Sequence, residues 1–251
     1  VSTSVFAGEM TVSGSASMTM ENYSIDSRNN GKGFSMGNQL TFTGGGELDN
    51  GMNVSVSFVL DQGDNETDNE TGASSAPFDN HSVTVSSDTL GTLVFHGEGG
   101  GSAQSSLDTT AAGDIWDTFD GTTGTTVFSS TTSDNMIGYT LPSLGVDGLS
   151  VSASYVPQAA GAASSLSYAA TYTGVEGLSV SYGVGEQETS STAQGDTTTM
   201  KASYAYGPVT VAYSNNDHAT ETSSKDQETT SFKLSYTVSD AISVSYGEET
   251  I

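Results

Sequence analysis

The sequence predicts an all-β chain folded as a transmembrane up-and-down antiparallel β-barrel. Three observations carry that expectation. Apolar residues recur at every second position through the second half, as in Leu149, Val151, Ala153 and Tyr155, or Met200, Ala202, Tyr204 and Tyr206. A period of two sets each such run on one face of a strand. The opposite face carries Ser, Thr, Gly and Gln with little charge, and the aromatic residues, mostly Tyr, fall near strand ends. An apolar face toward lipid, a polar face toward water and aromatic belts at both interfaces form the pattern of a membrane barrel. Finally, short turns alternate with long polar links, as they do between the two rims of such a barrel.

Taken in order, alternation and turn residues place about thirteen strands along the chain. They cover 8–21, 34–48, 51–62, 80–87, 90–98, 135–141, 147–157, 164–173, 176–186, 196–206, 208–215, 228–238 and 240–248. Short turns fall at Asp49-Asn50-Gly51, Ser87-Asp88, Gly145 to Gly148, Gly174 to Gly177, Gly207-Pro208 and Ser239-Asp240. The long links are 22–33, 62–79, 99–134, 158–163, 187–195 and 216–227. One domain spans 1–251. The link 99–134 stands apart, because a connection of that length in a compact domain has a function of its own. It holds the only Trp, in Asp114-Ile115-Trp116-Asp117-Thr118-Phe119-Asp120. Apolar anchors among Asp108, Asp114, Asp117 and Asp120 predict a loop that folds back and is held.

Composition narrows the function classes. Hydrophobic residues make up 34%, too few for a dense central core. That composition also suits a disordered chain, but the regular alternation argues against disorder, and a barrel with a wet interior tolerates it. No apolar run approaches the ~18 residues of a membrane-spanning helix, which leaves closed barrels open as a way across. The chain has no cysteine, so disulfides and thiolate metal sites are excluded. Thirty acidic residues face five basic ones, for a net charge of −25. Nucleic acid is excluded as a partner, since phosphate contacts need Lys and Arg. The acids cluster between strands, at Asp61 to Glu70, Asp108 to Asp120, Glu186 to Asp196 and Asp217 to Glu228. Each cluster reads first as a solvated loop surface; their sum would attract cations.

The order of local motifs then carries a resemblance. Leu40-Thr41-Phe42-Thr43-Gly44-Gly45-Gly46-Glu47-Leu48-Asp49-Asn50-Gly51-Met52 resembles the second hairpin of general Gram-negative porins. Leu90-Gly91-Thr92-Leu93-Val94-Phe95 is similar to the porin turn before the fifth strand, which leads into the constriction loop. Met136-Ile137-Gly138-Tyr139-Thr140-Leu141-Pro142 and Gly148 to Tyr155 resemble the strands after that loop. The resemblance covers most of the chain and is strongest to porins of alphaproteobacterial type. It implies a barrel of about sixteen strands in the full protein, a homotrimer in outer-membrane lipid, and a third extracellular loop folded into the lumen. Porins end on a strand with a terminal aromatic residue, whereas this sequence stops at Ile251; the expectation is a further C-terminal segment of about three strands, which also makes the count even. An arginine ladder opposite the constriction loop is absent.

With that topology, 99–134 is expected to constrict the pore through Asp108, Asp114, Trp116, Asp117, Phe119 and Asp120. Alternation places Glu47, His96, Glu98, Lys201 and Lys233 on the lumen face. Selectivity in such pores comes from rings of charge and from width. Lys201 and Lys233 read equally as locally paired lysines or as a positive wall opposite the acidic loop. No catalytic site is expected: His81, His96 and His218 are scattered, without metalloprotease spacing. No cofactor is expected either, beyond Ca²⁺ held loosely at acidic loops such as Asp64 to Glu70. The expected function is passive diffusion of small hydrophilic solutes and ions across the outer membrane, with cation preference. The alternative is a secreted acidic β-rich surface or adhesive protein stabilised by calcium.

Overall fold

The computed structural model describes residues 10–20, 34–61, 79–107, 110–111, 128–131, 134–158, 163–188, 194–221 and 226–251. They form one sheet of thirteen strands: β1 (Thr11–Met20), β2 (Phe34–Glu47), β3 (Asn53–Asp61), β4 (Asn80–Ser87), β5 (Gly91–Glu98), β6 (Met136–Thr140), β7 (Leu149–Val156), β8 (Ser165–Tyr172), β9 (Leu178–Gln187), β10 (Gly195–Tyr206), β11 (Val209–Thr220), β12 (Gln227–Ser239) and β13 (Ile242–Thr250). Each strand pairs antiparallel with its neighbours in sequence, which is an up-and-down meander without crossovers. No ladder between β13 and β1 is seen among the described residues. Among the described residues no helix is long and apolar enough to cross a membrane. The sheet meets the requirement in lipid by another route: each interior strand finds hydrogen-bond partners on both sides.

Register turns the alternation of single strands into rows that cross the sheet. On one face Leu178, Tyr204, Val211, Leu234 and Tyr246 lie opposite one another in succession. The next row runs Tyr206, Val209, Tyr236, Val244. Most of these side chains are exposed, up to 76% for Tyr206 and 62% for Tyr246, with Leu178 and Val209 half-buried. On the other face Thr199, Asn216 and His218 are 0% exposed. That inverts the rule for water-soluble proteins, where large apolar groups are buried and polar groups face out. Among the described residues the fully buried apolar side chains are few and mostly small: Ala103, Ala111, Met136, Val156, Ala169 and Ala212. The face-to-face apolar core of a sandwich is not what these strands build.

The apolar face also ends where a membrane would. Beyond Tyr168, Tyr182 and Met200, the same face of β9 to β12 carries Glu186, Asp196, Asp217 and Glu228. From Asp196 to Tyr206 along β10, at about 3.4 Å per residue and a tilt of about 35–45°, the rise is about 24–28 Å. The hydrocarbon band around such barrels is about 25 Å tall. At the turn end, the Tyr139 hydroxyl donates to the carbonyl of Leu90 (2.6 Å), so an interfacial ring keeps its polar tip satisfied.

Two elements depart from the expected pattern by more than their end residues. β11 runs to Thr220, well past 215, because Asn215 to Thr220 pair with Gly195 to Met200 on one side and Asn215 to His218 with Gln227 to Thr230 on the other. Pairing on both sides overrides the poor strand propensity of Asn and Asp. His218 is therefore a strand residue, not part of a loop. In β5 a bulge interrupts alternation: Ser82 lies opposite His96, yet His81 lies opposite Glu98, leaving Gly97 as the extra residue. The His81 ring occupies the space where a Cβ on Gly97 would sit.

The two faces predict opposite responses to charge. Tyr213 lies about midway up the apolar band, between Ala202 and Phe232. Tyr213→Arg should cost about 2–4 kcal/mol of folding stability in lipid vesicles, measured by guanidinium unfolding. Ser235→Arg, on the polar face of β12, should cost clearly less; equal costs would contradict the assignment of faces.

Candidate pore site

The polar face of β7 to β12 is a lattice of small hydroxyl, amide and glycine residues. One row runs Ser154, Ser167, Gly185, Thr197, His218, Gln227. The next runs Ser152, Ala169, Gly183, Thr199, Asn216, Thr229. A third runs Ser181, Lys201, Ser214, Ser231, Glu249. Most of these side chains are buried, although among the described residues no second sheet covers them. What covers them is the connection between β5 and β6.

The connection leaves β5 at Gly99, whose amide donates to Asp134 Oδ1 (3.2 Å), so its two ends are tied at the root. Segment 102–107 turns over the wall: the Ser106 amide donates to the Ser102 carbonyl, and that of Leu107 to the Gln104 carbonyl. The Ala103 amide donates to Ser154 Oγ (3.0 Å) and the Gln104 amide to Ser167 Oγ (2.8 Å). The Gln104 side chain donates through Nε2 to Thr199 Oγ1 (2.6 Å) and accepts at Oε1 from the Ser130 amide (2.7 Å). Further along, the Ala111 amide donates to Ser231 Oγ.

The returning limb, 128–131, lies on β9, β11 and β12. Asn216 Nδ2 donates to the Phe128 carbonyl (3.1 Å), and the Phe128 amide donates to Gln227 Oε1 (2.9 Å). The Phe128 ring rests on His218, centroids 4.8 Å apart. His218 Nδ1 in turn bonds with the Thr197 hydroxyl (2.7 Å). The Thr131 amide donates to the Glu186 carbonyl (2.8 Å). Two glycines make room for this contact. A Cβ on Gly185 would lie 2.6 Å from Ser130 Cβ, and one on Gly183 2.7 Å from Leu107 Cδ1.

The residues expected from sequence are dispersed over this frame. Lys201 is half-buried on the polar face and its Nζ donates to the Thr110 carbonyl (2.9 Å), so it holds the loop. Lys233 shares that face, opposite Ala212. His96 lies on the polar face of β5, between Ser82 and the buried Met136. Glu98, past the bulge, instead lies opposite His81, at 3.8 Å, and the His81 ring stacks on Phe58. Glu47 is exposed near the β2–β3 turn. Asp108, Asp114, Trp116, Asp117, Phe119 and Asp120 lie outside the described residues, as does the acidic segment Asp64 to Glu70. Among the described residues no group of three or more His, Asp or Glu is arranged to hold a metal ion. Sequence reading missed Gln104, Asn216 and His218; for Asn216 and His218 the signal present was polar side chains continuing the alternation of β11 beyond its apolar stretch.

One strand-built wall, apolar outside and polar inside, carries a long loop on its polar face. A family model described as Gram-negative porin matches residues 1–250. The chain belongs to the Gram-negative porin family. It is an outer-membrane β-barrel that forms a channel, and the reading as a secreted surface protein is not favoured. Comparison with curated proteins finds no match. Solved structures similar to it include mutants of the Rhodopseudomonas blastica porin. One is 16% identical, with a TM-score of 0.47, covering 96% of this chain and 94% of that chain. A triple mutant of the same porin gives 16% and 0.46 over the same shares.

The close seat of the loop makes a prediction. Gly185→Ala should cost about 1–3 kcal/mol by overpacking against Ser130 and Ser167, measured by denaturant unfolding of the reconstituted porin. Unchanged stability would mean that the returning limb does not press on the wall.

Proposed function

We propose that the porin is a cation-preferring diffusion channel for small hydrophilic solutes, assembled as a homotrimer, in which 99–134 narrows the lumen. The observation that carries the cation preference is the charge balance: 30 acidic residues against 5 basic ones. Among the described residues the basic side chains are Lys201 and Lys233, both on the polar face. The Lys201 ammonium is engaged with the Thr110 carbonyl, which supports a holding role over that of a free positive wall. Segment 108–120 contributes four Asp residues to that balance, and low-dielectric walls focus the field of charges in a narrowed lumen. Narrowing is supported by the hydrogen bonds that seat 102–107 and 128–131 on the polar face. The trimer rests on family membership.

In a planar bilayer under a salt gradient, the sign of the zero-current potential should report cation preference. The preference should weaken as salt rises, because the range of an exposed charge is only about 8 Å at physiological ionic strength. Replacing Asp108, Asp114, Asp117 and Asp120 together by Asn should reduce it. Anion preference at low salt would overturn the charge argument and leave the channel in place.

A further inference from the structure

We infer that Gln104 is the positioning residue of this channel: it fixes both limbs of the loop to the wall and thereby sets the width left open to solute. The inference deepens the diffusion-channel reading and rests on it. Gln104 is 0% exposed, although it lies on a loop. Its backbone amide reaches β8 at Ser167, its Nε2 reaches β10 at Thr199, and its Oε1 takes the amide of Ser130 on the returning limb. No other side chain among the described bonds joins the outgoing limb, the returning limb and the wall at one point.

The connection continues as a relay. Thr199, having accepted from Gln104, donates its hydroxyl to Asn216 Oδ1. Asn216 donates to the Phe128 carbonyl, and the Phe128 amide donates to Gln227. The circuit thus leaves the loop at Gln104, crosses two strands of the wall and re-enters the loop at Phe128. A primary amide is what the node requires, since it donates at one end and accepts at the other. Leu offers neither function, and a carboxylate offers only the acceptor. Gly183 lets the Gln104 backbone come this close: a Cβ there would stand 3.3 Å from Gln104 Cα. Every member of the circuit is neutral, so neither salt nor pH in the ordinary range acts on it directly.

The test is single-channel recording in planar bilayers, with polymer exclusion to gauge width and the heat-modifiable gel band to confirm folding. The wild-type porin must first conduct; failure there refutes the diffusion reading itself and not merely the role of Gln104. Gln104→Leu and Thr199→Val should each raise mean conductance, add flicker and admit larger polymers. Their combination should fall short of the sum of the two single effects, because both cut the same link while each also cuts one of its own, to Ser130 or to Asn216. Thr199→Val is isosteric and lies in the wall, so it carries the test should Gln104→Leu not assemble. Gln104→Glu supplies a readout that general loosening would not give. Its carboxylate lacks the donor at neutral pH, and its protonated form regains it. Conductance of this variant should therefore be raised at neutral pH and return to the wild-type value on acidification, with wild type in the same buffers as reference. Wild-type conductance and cutoff in Thr199→Val, fully additive effects in the pair, or a pH-independent Gln104→Glu channel would each overturn the inference.

Discussion

A backbone that crosses hydrocarbon has to find all of its hydrogen bonds within the protein, and the rest of this structure follows from that constraint. Strand-to-strand pairing satisfies it without helices. Pairing in turn imposes a period of two on every strand, so each residue faces either lipid or the interior. The sorting is visible across whole rows: Leu178, Tyr204, Val211, Leu234 and Tyr246 on one face, Ser181, Lys201, Ser214 and Ser231 on the other. Because lipid solvates the outer row, the chain needs no apolar core, and a hydrophobic content of 34% suffices.

The inner face poses the complementary problem. Hydroxyls and amides covered by protein must be partnered, or each carries a desolvation penalty of about 1–3 kcal/mol. The long connection after β5 supplies partners through its own backbone: the amides of Ala103, Gln104 and Ala111 go to Ser154, Ser167 and Ser231. Small wall residues matter as much as polar ones here. Gly183 and Gly185 let one backbone lie against another, where any larger residue would hold the loop away. The loop takes the place of a core, and among the described residues its hold on the wall consists mainly of neutral hydrogen bonds, with Lys201 as the charged exception.

Much of this was legible in the sequence, for a physical reason. Side-chain alternation and turn residues are local, so all thirteen strands, their order and the apolar rows could be read from residues such as Leu149 to Tyr155. The placement of Lys201, Lys233 and His96 on the polar face followed from the same parity. Parity fails where the ladder slips. At Gly97 one extra residue carries Glu98 to the position opposite His81, and the one mark of it in Phe95-His96-Gly97-Glu98 is the lone glycine, which strands tolerate at a bulge. The upper half of β11 escaped too, because Asn215 to Thr220 has the composition of a loop and becomes a strand only through both neighbours. With it went His218 and Asn216. Gln104 was illegible for a deeper reason: its partners Thr199 and Ser167 lie far along the chain, and no local pattern encodes a contact of that range.

The central claim is that one face of the strands meets lipid and the other meets water. The absence of native cysteine allows a direct measurement. Cysteine placed singly at each position of 203–206 and 233–236, in porin reconstituted into vesicles, can be challenged with a water-soluble, membrane-impermeant thiol reagent. Modification should alternate, with 203, 205, 233 and 235 reacting and 204, 206, 234 and 236 protected. Uniform reaction along both strands, or reaction with the opposite parity, would contradict the account.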